Sequence, residues 1–302
     1  MDALRRELAV SERRRKSLPK FLMRWLVRWM ARRSLLARDI LRGNSDVLGG
    51  LSTYILKLGA TNLVAPYNTD LDRRLAASPA IMSMRVRLQQ LAHLLADGLR
   101  QDLTTRNAVP LHLVSIGGGT AIDCLNALIL LRKSRPSALD RSVTIHVLDP
   151  DSEAPEFGTR ALASLTSDGG PLNGLRVDLL HVPYSWENTP TLADLVRKLS
   201  ASDSVIAAST EGALFEYADD QAVLSNLEAL RSDVNSKVTL VAGTVTRADP
   251  LTREFITTSR FKLVPRGHEA FGALVREAHF AVAQVRSTLL SDQVLLRPVQ
   301  AH

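Results

Sequence analysis

Residues 110–131, PLHLVSIGGGTAIDCLNALILL, leave few ways for the rest of the chain to fold. The run from Leu111 to Ile116 has the length and composition of a strand buried on both faces. Three glycines follow, Gly117, Gly118 and Gly119, and then a nearly all-apolar segment from Ala121 to Leu131 that reads as a buried helix. Strand, glycine turn and helix in that order aim unpaired backbone N–H groups and the positive end of a helix at a ligand. Glycine suits the turn because no side chain keeps a ligand off the backbone, and because sharp turns need positive φ.

The chain downstream alternates strand and helix, the pattern of a doubly wound sheet. Strands are expected at 111–116, 143–148, 176–182, 204–209 and 237–243, with helices between them at 121–133, 157–166, 190–200 and 219–232. A helix at 267–278 precedes two β-like runs, AVAQVRS and VLLRPV, whose LLSDQ spacer suits an antiparallel hairpin. The expected fold is therefore α/β: a doubly wound, mostly parallel seven-stranded sheet closed by an antiparallel terminal hairpin, preceded by an all-helical N-terminal region. The division falls at 1–108, a helical cap, and 109–302, the sheet domain. No internal repeat or low-complexity tract interrupts it.

Several ligands use such a turn, and the details separate them. A dinucleotide fingerprint starting at Gly117 requires glycine at position 122, where Ile122 stands, and the Gly-Lys-Ser/Thr of a phosphate-binding loop is missing. Asp149 closes the next apolar run, VTIHVLD, 30 residues beyond Gly119, where a second strand delivers a carboxylate to a ribose diol. On these residues the chain resembles the class I S-adenosylmethionine-dependent methyltransferases, whose first motif is acidic-x-Gly-x-Gly-x-Gly and whose second strand ends in an acidic residue. Ser115 stands at the acidic position and Ala121 at the third glycine. The final hairpin is similar to that family's sheet, with its reversed last strand, whereas a standard dinucleotide domain adds a parallel sixth strand.

The resemblance implies S-adenosylmethionine as cofactor, held by Gly117, Gly118, Gly119, Thr120, Asp123, Asp149, Pro150 and Ser209. It also implies that the N-terminal helices lie across the cofactor and wall the substrate. Methyl transfer from a sulfonium is an in-line displacement in which the protein orients the acceptor and removes its proton, so no universal side chain marks it. Candidates lie where open α/β sheets bind ligands, beyond the C-terminal ends of the strands. Glu211 and Tyr217 follow the fourth strand and Tyr184 the third; these are the catalytic candidates, with Glu211 preferred and Glu216 the other carboxylate. Tyr67 and Asn68, in a loop between helices, together with Arg85 and His268, are the substrate-binding candidates; Arg85 and Arg87, two apart on a helix, cannot both face the pocket.

The competing readings are an enzyme that cleaves another S–C bond of the same cofactor and releases methylthioadenosine, a nicotinamide-dependent oxidoreductase, and a non-catalytic binding protein. No His, Cys, Asp or Glu cluster has metal-ligand spacing, and no G-x-S-x-G elbow is present, so neither a metal site nor a serine hydrolase is expected.

Charge is unevenly placed. The chain of 302 residues carries +7 overall, yet residues 1–42 hold 13 Lys/Arg against 4 Asp/Glu, so the remainder sums to −2. Nucleic acid is accordingly not expected as a partner; a small molecule is. Residues 1–16 read as a solvated arm. After Pro19 comes a basic amphipathic helix to about residue 42, with Leu22, Trp25, Leu26 and Trp29 on one face and Arg24, Arg28 and Arg32 on another. Burying two tryptophans outweighs screened surface arginines, so this helix is expected to dock on its own domain or, forming a homodimer, on a twin subunit. Gly43-Asn44-Ser45 ends it, residues 51–60 form a short helix, and a strong helix runs from Pro79 to Leu103. One cysteine, Cys124, and the lack of an apolar run of membrane-spanning length make the cytoplasm the expected location, without stable membrane insertion.

Overall fold

A computed structural model describes residues 2–17, 19–42, 50–106, 108–231, 236–259 and 261–299. Six helices come first: α1 (Asp2–Ser17), α2 (Lys20–Arg33), α3 (Leu35–Arg42), α4 (Gly50–Leu58), α5 (Asp70–Ala76) and α6 (Pro79–Thr105). Alternation then begins with β1 (Leu111–Ile116), α7 (Ile122–Ser134), β2 (Ser142–Asp149), α8 (Glu153–Thr166), β3 (Arg176–Pro183), α9 (Pro190–Ser200) and β4 (Val205–Thr210). It continues through α10 (Leu214–Tyr217), α11 (Asp220–Leu230), β5 (Val238–Thr246), α12 (Pro250–Thr258), α13 (Gly267–Glu277), β6 (Phe280–Ser287) and β7 (Ser291–Pro298).

The seven strands form one sheet in the order β3-β2-β1-β4-β5-β7-β6. All neighbours from β3 to β5 are parallel, while β7 runs antiparallel to both β5 and β6. Leu111 of β1 is level with Val143 on one side and Val205 on the other, so chain order reverses at β1 and opens a crevice beyond its C-terminal end. Alternation along the central strands divides the interior. Leu111 and Leu113 join Val143, Ile145 and Val147 under α6 and α7, whereas Val114, Ile116 and Leu148 meet Leu192, Val196, Val223 and Leu227 of α9 and α11. Each fully buried leucine of this kind contributes about 1.5–3 kcal/mol.

The long helix α6 does two things. Leu91, Leu95 and Leu99 belong to the sheet's own core, and Gly98 lets the helix sit close on Leu240 and Leu295. Its first turns meet a separate small core of Leu36, Ile55, Leu56, Leu63 and Ala76. A buried carboxylate orders that smaller layer. Asp72 accepts from the Thr69 backbone N–H at 3.0 Å and hydroxyl at 2.6 Å, and from the Ser34 hydroxyl. These bonds cap α5, a helix within what reads in sequence as plain connection, and fix the break between α2 and α3 at Ser34.

Two further departures concern the N-terminus. Residues 2–17 are a helix, not a solvated arm, because Leu8 buries against Leu251 and Leu289 and Glu12 takes the Thr258 hydroxyl. The tryptophan face of α2 does not dock on the body: Trp25 is 63% and Trp29 38% exposed. The expected break at Gly43-Asn44-Ser45 lies outside the described residues. Among the described residues, no helix is long and apolar enough to cross a membrane.

Candidate functional site

The glycine turn is held from below. Gly117 N–H donates to the Leu148 carbonyl at 2.8 Å, and Gly117, Gly119 and Ala121 all have positive φ, at 60°, 51° and 53°. A Cβ on Gly117 would overlap that of Ala213, and one on Gly118 would overlap the Ser115 side chain. These two glycines therefore serve the chain's own close packing, whatever else they serve. Gly118→Val is expected to cost about 1–3 kcal/mol through overpacking, read as a lower melting temperature. An unchanged melting temperature would mean that the turn has room.

Beside the turn, the Asp149 carboxylate accepts from Gly119 N–H at 2.9 Å and Asp151 N–H at 3.1 Å, one bond to each oxygen. Each oxygen keeps a lone pair for a further donor. Burial raises the Asp149 pKa, and the backbone N–H bonds oppose the rise. In the first turn of α7, Asp123 is 1% exposed and its Oδ2 has no hydrogen-bond partner among the described residues. Burial raises its pKa as well, against a hydrogen bond with Ser209. Thr120 and Ser209 are buried, Ser209 lying 3.4 Å from both Cys124 Sγ and Ser115 Oγ, while Pro150 is exposed at the end of β2. Beside the turn the chain thus presents carboxyl acceptors, suited to a ligand that brings hydroxyls to Asp149, while paired phosphates at this helix end would meet the Asp123 carboxyl in its first turn.

Next to the turn lies a buried ionic network that joins the N-terminal helices to the sheet. Glu211, directly after β4, pairs with the Lys57 ammonium of α4 and with Arg87 Nε of α6 at 2.8 Å. The same guanidinium reaches Glu216 Oε2 through Nη1 at 2.8 Å, and Thr246 donates to Glu216 Oε1 at 3.1 Å. Gly212, at φ 69°, lies where any Cβ would overlap the guanidinium, so the fork straddles the turn between its two carboxylates. Burial alone would raise the Glu211 pKa, but Lys57 and Arg87 outweigh it and hold the carboxyl at about 2. Burial wins at Glu216, whose pKa is raised in spite of Arg87, and at Lys57, whose pKa is lowered in spite of Glu211.

Arg87, Gly212, Glu216 and Tyr217 form the polar floor of a cavity of about 260 Å³. Its walls are otherwise mostly apolar, with Leu56, Ile81 and Met84 from the N-terminal helices facing Phe255, Phe261 and Leu263. The segment 211–213 lies between the cavity and the glycine turn: Gly212 lines the cavity while Ala213 packs on Gly117.

The structure brings only some of the sequence candidates to this place. Tyr217 lines the cavity, and its pKa is pushed up by burial and by Glu216. Glu211 stands in the segment between cavity and turn. Tyr184 neighbours Asp149 through its backbone N–H, but its side chain lies in the core, where the hydroxyl donates to Asn226 at 2.7 Å, and it does not line the cavity. Of the arginine pair, Arg87 faces inward; Arg85 lies against Gly59 on the opposite side. Tyr67 packs on the small helical core, Asn68 is exposed, and His268 Nδ1 sits 3.0 Å from Asp292 Oδ2, none of the three lining the cavity. Lys57 and the α12 wall escaped the sequence reading. The wall had a signal: Asp249-Pro250 is an N-cap followed by proline at the first helical position, and Asp249 does accept from Thr252 N–H.

Strand order, switch point and reversed last strand give the Rossmann-like sheet that the resemblance to the class I methyltransferases implies. No protein-family model and no curated protein matches the chain. Solved structures do. Human N-acetylserotonin methyltransferase in complex with S-adenosylmethionine aligns at 12% identity and a TM-score of 0.42, covering 74% of this chain and 58% of that one. An O-methyltransferase from neocarzinostatin biosynthesis, NcsB1, in complex with S-adenosylmethionine and 2-hydroxy-5-methyl naphthoic acid, aligns at 17% identity and 0.42, covering 87% and 73%. LepI in complex with S-adenosylmethionine aligns at 12% and 0.44, covering 96% and 92%. The chain thus spans 58% of the length of the human enzyme, and at such identities the fold assignment rests on the strand order itself.

Proposed function

We propose that this protein is an S-adenosylmethionine-dependent methyltransferase acting on a small molecule. The observation that carries the reading is one of neighbours: a glycine turn bonded to the Asp149 carboxyl, and a mostly apolar cavity lined by Gly212, whose neighbour Ala213 packs on that turn. Asp149 would hold the ribose hydroxyls, the backbone of residues 117–119 the amino-acid end, and Asp123 the positive charge. When bound, the sulfonium supplies an activated methyl group. The chain's own residues do the rest. The apolar walls exclude water and orient the acceptor. Glu216 and Tyr217, on the cavity floor, hold the acceptor's polar group and its proton. Glu211 is a poor base with its pKa held at about 2; its part is to fix Lys57 and Arg87.

Calorimetry with the full-length protein tests the cofactor. S-adenosylmethionine or S-adenosylhomocysteine is expected to bind, and Asp149→Ala to weaken binding roughly ten- to hundredfold, from the loss of about 1.5–3 kcal/mol per hydrogen bond to a charged acceptor. Tight NADH binding with none for the sulfonium would overturn the reading. Product analysis then separates methyl transfer, which yields S-adenosylhomocysteine, from cleavage of another S–C bond, which yields methylthioadenosine.

A further inference from the structure

The first two helices carry a surface that neither the sheet nor the cavity uses. On α2, Leu22, Trp25 and Trp29 fall within about a sixth of the helical circumference at 3.6 residues per turn, and they are 41%, 63% and 38% exposed. α2 packs chiefly on α3, so this apolar strip faces outward. Arg32 and Arg33 are exposed beside it, and the Arg33 guanidinium lies 5.3 Å from the Trp29 ring centre. The sequence of α2 contains no acidic residue. On α1, Arg5, Arg6 and Arg13 are exposed and Val10 is 47% exposed.

Three kinds of occupant could cover such a strip, and charge with chemistry separates them. A second copy of this chain would bring an identical segment of 13 Lys/Arg and 4 Asp/Glu against the first, and like charge opposes that contact. Nucleic acid would answer the charge but leave Leu22 and both indoles in water. An anionic bilayer answers both: indoles and aliphatic side chains enter the headgroup boundary while arginines stay at the phosphates. We infer that α1 and α2 form a peripheral anchor that lays this protein on an anionic lipid surface without crossing it. The positive segment, set against a body of net charge −2, also orients the molecule, with α2 down and the body away from the lipid phosphates.

Co-sedimentation of the full-length protein with two vesicle types tests this: pure phosphatidylcholine, and phosphatidylcholine with about 30 mol% phosphatidylserine at physiological salt. Binding to the anionic vesicles is expected to be at least about tenfold tighter, to shift indole fluorescence to the blue, and to fall steeply as salt is raised. The exposed double variant Trp25→Ser, Trp29→Ser should lose most of the binding while keeping the parent's melting temperature. Arg32→Glu with Arg33→Glu should lose it as well. Equal binding to both vesicle types, or none, would overturn the inference. So would a full-length dimer that the tryptophan variant converts to a monomer, since a second copy would then cover the strip. Tighter binding to an oligonucleotide than to vesicles, without a fluorescence shift, would assign the surface to nucleic acid instead.

Discussion

Arg87→Met is expected to lower the unfolding free energy by about 3–5 kcal/mol, the range for removing one partner of a buried ion pair. The physical reason is what remains. Glu211 would keep only Lys57, and Glu216 only the Thr246 hydroxyl, both carboxylates staying buried. Methionine fills the space of the side-chain stem, so lost packing contributes little and lost pairing most. Arg87→Lys should recover only part, since an ammonium cannot donate from two directions to carboxylates on either side of Gly212. Urea unfolding monitored by circular dichroism measures all three proteins. Adding Glu216→Gln to Arg87→Met should restore some of the loss by removing one stranded charge. A loss under about 1 kcal/mol would mean that water reaches the network and that it does not clamp the helices to the sheet.

The second large effect is one of pH, and it sits apart from the cavity. His146 Nε2 on β2 lies 3.3 Å from His112 Nδ1 on β1, with Lys198 of α9 the other positive group acting on it. Burial, then His112, then Lys198 lower the His146 pKa from 6.5 to about 4; burial lowers that of His112 too. A depressed folded pKa means that between pH 6.5 and about 4 the unfolded chain binds protons the folded protein refuses. Stability contributed by the neutral ring is therefore complete above pH 6.5 and lost as pH falls towards 4, at most about 3 kcal/mol at 1.36 kcal/mol per unit. Melting temperatures of the parent and of His146→Gln, taken from pH 8 to pH 4, should diverge on the acid side, the variant losing less. Parallel curves would refute the assignment.

The sheet was legible because its signal is local. Apolar runs bounded by turns marked the five parallel strands and the terminal hairpin to within a few residues, most plainly β1 and β4, where a strand buried on both faces can carry little else. The helices that went unread are those whose apolar residues are few and whose partners are distant in sequence. α1 is highly charged, and it is Leu251 and Leu289, far off in sequence, with Phe255 and Leu290 beside them, that explain why Leu8 is buried. In α12 the local cue is a single cap, Asp249 before Pro250, which marks where a helix starts and not how far it runs.

The site is harder for the same reason. Spacing says that one of Arg85 and Arg87 faces inward, but only the position of Glu211 and Glu216 decides which. Lys57 reads as a solvated residue near the end of a short helix until Glu211 is placed beside it. For Tyr184, position after a strand pointed to a ligand, whereas Asn226, 42 residues later, claims the hydroxyl.

Ala121 makes a left-handed bend without a glycine. It holds φ at 53° with no exposed surface, and its methyl group is part of the main core. An L-residue in the left-handed region costs about 1–2 kcal/mol, and glycine there avoids most of that cost. Here the methyl group's packing offsets the strain, so the bend holds with alanine in it. A glycine-keyed sequence pattern therefore passes over this position although the main chain bends there as it would at a glycine, and the dihedral angle, not the residue type, marks the turn.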